Sequence, residues 1–192
     1  MVFRSVLFSA LFAFFTAAVF VQKAGATSIV RFAFDSLCVR AETIAHVRCV
    51  ESQSFRDAER GGVFTRTRLE VLSPVKGDPG GEIVLILPGG SVDSQRVAVL
   101  GIPGFVPGEE TVVFLSGPDD FGSPWPIGLG QGCYSVQAEE GKGPYVFLRT
   151  GVNPFPDGPL FKPAPNRHTL RIPLQGFLNR IRQTLPPPLD ER

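Results

Sequence analysis

The residues able to carry chemistry are few and scattered. By type the strongest candidates are two histidines, His46 and His168, and three cysteines, Cys38, Cys49 and Cys133. A thiol nucleophile needs a base held beside it, and neither histidine stands in a motif that would put one there. No Gly-x-Ser-x-Gly elbow occurs, and Ser91 after Pro88-Gly89-Gly90 reads as a strand-entry turn residue. The chain has no Cys-x-x-Cys and no His-x-x-x-His, and the adjacent Asp119 and Asp120 could supply two oxygen ligands at most. Gly128-Leu129-Gly130-Gln131-Gly132 is glycine-rich but is not followed by the helix whose amides would hold a phosphate. Neither a metal nor a cofactor is expected. Glu109, Glu110, Asp119, Glu139 and Glu140, all in turn-rich segments, leave one catalytic arrangement open: a hydrolase whose loop carboxylates converge.

Binding chemistry is better represented. Phe105, in the loop 101–108, and Phe121 and Trp125, in the loop 116–126, are aromatic residues in segments that belong at a surface. Aromatic side chains on loops offer a large contact area at low entropic cost, which makes these three the candidate binding residues. The competing expectation is that they tuck under their loops as lids on the core. Three cysteines permit one disulfide. Cys49 shares one strand face with Ala45 and Val47 and reads as a buried small hydrophobe, whereas Cys133 alternates with Tyr134 and is expected to point away from the core. The favoured bridge is therefore Cys38 to Cys133.

These residues need elements to position them. Asp35 or Ser36 can cap a short helix followed by Leu37, Ala41 and Ile44. An extended segment runs to about Glu51, and Ser52 to Gly62 reads as a polar loop. Val63 to Leu72 alternates Val63, Thr65, Thr67, Leu69 and Val71 against Phe64, Arg66, Arg68 and Glu70, the pattern of a half-buried strand. The turn Lys76-Gly77-Asp78-Pro79-Gly80-Gly81 leads into a strand Glu82 to Leu87. Further strands are expected at Arg96–Leu100, Thr111–Leu115, Ile127–Gln137 and Tyr145–Arg149. Gly151 to Asn166 holds five prolines and reads as a surface loop. After it, Pro173 opens a helix whose Leu174, Phe177, Leu178, Ile181 and Leu185 form an apolar stripe.

The first 26 residues stand apart. Arg4, an apolar run from Ser5 to Val21 and the small residues Ala24-Gly25-Ala26 have the three parts of a secretory signal peptide. The boundaries are then a signal peptide over 1–26, a β domain over 27–150, a Pro-rich loop over 151–172 and a C-terminal helix over 173–185 packed on the domain. An exported protein is expected, periplasmic or extracellular, with no membrane span after cleavage. Removing Arg4 and Lys23 from the 19 basic residues leaves 17 against 18 acidic ones. That balance offers no basic surface for nucleic acid.

Leu69-Glu70-Val71-Leu72, Val75 to Glu82, Leu87-Pro88-Gly89-Gly90, Pro103 to Glu110, Phe114-Leu115 and Gly128 to Gly132 together resemble a group of uncharacterised exported bacterial proteins. More loosely, a first segment, a long strand and a strand ending in a Lys-Gly turn are similar to netrin-like, metalloproteinase-inhibitor domains of OB type. That resemblance implies an OB-like barrel; the strand and turn pattern itself implies a mainly antiparallel β domain, with a β-sandwich as the alternative and a short helix at the N-terminal end. The resemblance carries over no inhibitory residue, because those inhibitors begin with a cysteine and this mature chain would begin Thr27-Ser28. The resulting expectation is a non-enzymatic module of the bacterial cell envelope or extracellular space. It would recognise a protein or glycan through loops 101–126. The alternatives are the secreted hydrolase and a structural or assembly factor whose last helix docks on another protein.

Overall fold

The alternation that begins at Val63 sets the frame of the molecule and runs further than its sequence suggests. In the computed structural model, which describes residues 32–139, 141–148 and 172–186, strand β1 (Thr43–Asp57) pairs from Ile44 to its end with β2 (Gly62–Lys76). The expected signal peptide over 1–26 and residues 151–171 of the Pro-rich stretch lie outside the described residues. The segment 52–57, expected as loop, is strand. Its partner imposes this: Ser54 lies opposite Thr65 and Phe55 opposite Phe64, so pairing overrides weak local preference. Only Ala58–Gly61 turn the chain. Asp57 closes that turn, its Oδ1 accepting the amides of Glu59 and Arg60 at 3.0 Å each.

The remaining strands are β3 (Glu82–Pro88), β4 (Gly90–Val92), β5 (Gln95–Val97), β6 (Glu110–Pro118), β7 (Pro124–Pro126), β8 (Cys133–Glu139), β9 (Gly143–Leu148) and β10 (Ile172–Pro173). The main sheet runs β10-β9-β8-β6-β1-β2-β3, with β7 attached to β6, and every pairing is antiparallel. Gly77, after β2, has φ +72°, and a Cβ there would sit 2.6 Å from the Glu42 carbonyl oxygen, so the turn accepts only glycine. The expected strand 127–137 starts late: Leu129–Gly132 form a 3-10 turn and β8 begins at Cys133.

The fold is mainly β, but the sheet does not close into a barrel. The branch strand β7 lies beside the terminal strand β3, and there the Ile86 amide donates to the hydroxyl of Ser123, just before β7, at 2.9 Å, with no ladder between the two strands. Proline explains this. Two of the three residues of β7, Pro124 and Pro126, have no amide to donate. Nor is it a sandwich, since the second sheet is only the β4–β5 ribbon.

Both faces of the sheet centre are covered, which is why Thr111–Leu115 reads as continuous apolar sequence. Inside the curl, Ala45, Val47, Cys49, Leu69, Leu85, Val113, Leu115 and Cys133 form one cluster with Phe105. On the other face Ile44, Val112, Phe114, Val136 and Val146 pack beneath two helices, α1 (Phe34–Arg40) and α2 (Leu174–Thr184). Helix α1 starts after Ala33 with no side-chain cap, two or three residues earlier than a cap at Asp35 or Ser36 implied. In α2, Leu174, Phe177, Leu178 and Ile181 are buried, one stripe at i, i+3, i+4 and i+7. Phe177 joins the layers, its ring centroid 4.8 Å from Tyr134 and 5.5 Å from Phe34. No helix among the described residues is long and apolar enough to cross a membrane.

Candidate binding surface

Asp119 organises the loop after β6. Its Oδ1 accepts the amides of Phe121 at 3.0 Å and Ser123 at 2.9 Å, and its Oδ2 accepts the indole Nε1 of Trp125 at 2.9 Å. Desolvation works against the charged carboxylate, but these donors, the Ser123 amide first, outweigh it and hold the carboxyl below its ordinary value. Asp119 also donates its own amide to the Ser123 carbonyl. A short loop crossed by this many bonds is preorganised before it meets anything.

The three aromatic candidates separate in this setting. Phe105 is buried, only 8% exposed, in the cluster inside the curl. Trp125 is half-buried against the same cluster and engaged by Asp119. Both are lids on the core. Phe121 is different, 49% exposed at the tip of the loop. The Arg60 guanidinium carbon lies 4.0 Å from its ring centroid. Arg60 is itself only 13% exposed and is fixed by Asp57, whose Oδ2 accepts from Nη1 at 2.6 Å. The Arg60 amide and side chain hold the Asp57 carboxyl below its ordinary value. The β1–β2 turn and the 118–124 loop are thus clasped through a cation resting on a ring face.

Arg60 was not legible as a site residue, because a charged residue in a polar turn looks like every other. The spacing Asp57-x-x-Arg60 was the available signal: an Asp that caps a turn can also hold a cation at i+3.

Glu109 and Glu110 do not converge with Asp119 and Asp120, and Glu140 lies outside the described residues. Glu110 is the first residue of β6 and Asp119 follows its last, so roughly 30 Å of strand separates the pair Glu109 and Glu110 from Asp119 and Asp120. Glu110 is occupied: its Oε1 accepts from Arg48 at 2.8 Å, and its Oε2 lies 2.9 Å from His46 Nε2. No group of His, Cys, Asp or Glu among the described residues is arranged to hold a metal ion.

Cys38 and Cys133 are not brought together either. Cys38 belongs to the cluster under the helices and Cys133 to the one inside the curl, on opposite faces of the sheet, and no disulfide joins them. The expectation that Cys133 points outward fails because it pairs with Val113, in register with Ala45, and faces the interior cluster with both. Cys49 is buried beside Ala45 and Val47, as period two requires. Burial pushes the Cys38 thiol up to about 11.

A shallow, mainly apolar groove of about 480 Å³ lies beside the β1–β2 turn, lined by Asp57, Gly62, Val63, Gln95 and Val97 among others. No protein-family model, curated protein or solved structure matches this chain.

Proposed function

We propose that the chain is an exported, non-enzymatic binding module of the bacterial cell envelope or extracellular space that recognises a protein or glycan through the loops of residues 101–126. Phe121 is the contact residue of this reading, while Phe105 and Trp125 support it from beneath. In the same proposal the curled part of the sheet serves as an OB-like platform for its loops. One observation carries the reading: a half-exposed aromatic ring is held at the tip of a loop that Asp119 pins from within and Arg60 braces from below. Large rigid side chains presented in a fixed geometry are what recognition surfaces use.

Co-sedimentation with isolated bacterial envelopes tests it. The purified protein is retained, and Phe121→Ala lowers retention about tenfold without shifting the thermal midpoint. Equal retention of wild type and variant would discard Phe121 as the contact.

A further inference from the structure

We propose that the outer face of the β1–β2 hairpin, together with Phe121, binds an acidic polysaccharide, stacking uronic-acid rings on its phenylalanines and pairing a carboxylate with the guanidinium of Arg66. The proposal rests on the reading of Phe121 as a contact residue.

Rings and cations adjoin one another along this surface. Phe55 lies opposite Phe64 in the hairpin register. The Arg66 guanidinium carbon is 5.6 Å from the Phe55 ring centroid, and that of Arg60 is 5.7 Å from Phe64 and 4.0 Å from Phe121. The sequence Arg66, Phe55, Phe64, Arg60, Phe121 thus crosses two strands, a turn and a loop.

Charge distinguishes Arg66 from the other arginines of this face. Towards the helices, Arg48 is bonded to Glu70 and Glu110, and Arg68 to Glu51 and Glu82. Those cations are neutralised, and so is Arg60 at the turn, by Asp57. Arg66, one place further along the same face of β2, is exposed and has no carboxylate partner among the described residues. A planar guanidinium fork at an exposed site is complementary to a carboxylate, which it can hold with two parallel hydrogen bonds.

The side chains of this face argue for a glycan. The ladder of β2 is committed to β1 on one side and β3 on the other, and what the face presents is ring faces and the exposed Arg66 fork. A pyranose presents a face of C–H bonds to a ring, and a uronic acid adds a carboxylate at its rim.

Binding of the purified protein to immobilised alginate at physiological salt is the test, with dextran, polyglutamate and single-stranded DNA as comparisons. Alginate binds; dextran does not; polyglutamate and DNA bind at least tenfold more weakly. Arg66→Gln and Phe121→Ala each weaken alginate binding about tenfold, and Phe121→Trp retains it. Should Phe121→Ala perturb folding, Arg66→Gln decides alone, because Arg66 is exposed on a strand. Alginate binding no stronger than that of polyglutamate or DNA, or unaffected by Arg66→Gln, overturns the proposal. If alginate does not bind while Phe121→Ala still abolishes envelope retention, the glycan class is wrong and the loop reading stands. If Phe121→Ala changes neither, both fall.

Discussion

The indole of Trp125 donates its single N–H to Asp119, six residues earlier, at 2.9 Å. The one tryptophan in the chain is therefore an anchor of its own loop, and the residue it exposes in its place is Phe121. Asp119→Ala removes the acceptor for two amides and the indole. The expected loss of stability is on the order of 2 kcal/mol. It should come with a red shift of the tryptophan emission as water reaches the ring. Unchanged emission would show that the loop holds itself without Asp119.

Cysteine accessibility gives a second check. Cys38, Cys49 and Cys133 are all buried thiols. Desolvation raises both Cys38 and Cys49, so the reactive thiolate is scarce at neutral pH. Iodoacetamide should leave the native protein unlabelled and add three carbamidomethyl groups after unfolding without reductant. A product carrying one group would reveal a bridge and contradict the three unbridged thiols of the structure.

Helix α2 contributes to the core of the domain through Phe177, which is almost wholly buried and touches Phe34, Phe114 and Tyr134. Phe177→Ala should cost about 3–5 kcal/mol, as emptying a buried aromatic site does. Truncation before Pro173 should abolish the cooperative thermal transition. A truncated chain that melts as sharply as the intact one would mean that the helix is dispensable and available to a partner.

Acid sensitivity follows from Glu110. Burial tends to raise its carboxyl, but the Arg48 hydrogen bond and the contacts with His46 and Arg48 prevail and hold it below the ordinary 4.5. A carboxyl lowered on folding contributes stability that is fully present above the unfolded value. The contribution is lost as pH falls from about 4.5 through the folded value. Glu110→Gln should therefore melt below wild type at pH 7, and the gap should narrow towards pH 3. A gap independent of pH would assign the effect of Glu110 to packing.

Much of this architecture could be read from residue pattern. The alternation through Val63–Leu72 marked β2, and the spacing of Leu174, Phe177, Leu178 and Ile181 marked α2, because both elements bury one face and leave the other in water. What escaped was set by partners. Ser52–Asp57 has the composition of a loop and becomes strand only because β2 extends alongside it. The open sheet is a consequence of the prolines in β7, whose missing amides matter only once β7 is known to face β3. At the site, sequence chose three aromatic residues by their loops, and the structure leaves one of them exposed. Arg60 and Arg66 gain significance from rings that are distant in sequence or on the neighbouring strand.

The four-residue turn between β1 and β2 also bears on the order in which the chain folds. The hairpin register at Asp57 and Gly62 spans only a few residues, whereas pairing β1 with β6 joins His46 to Val112 across more than a third of the chain. Closing a short loop loses far less chain entropy than closing a long one, so the hairpin can nucleate and the β6, β8 and β9 half can condense on it afterwards. Truncations at Leu69 should then slow folding, while truncations at Val146 should chiefly accelerate unfolding. The ring-and-guanidinium surface would be largely assembled while the rest of the domain is still unfolded.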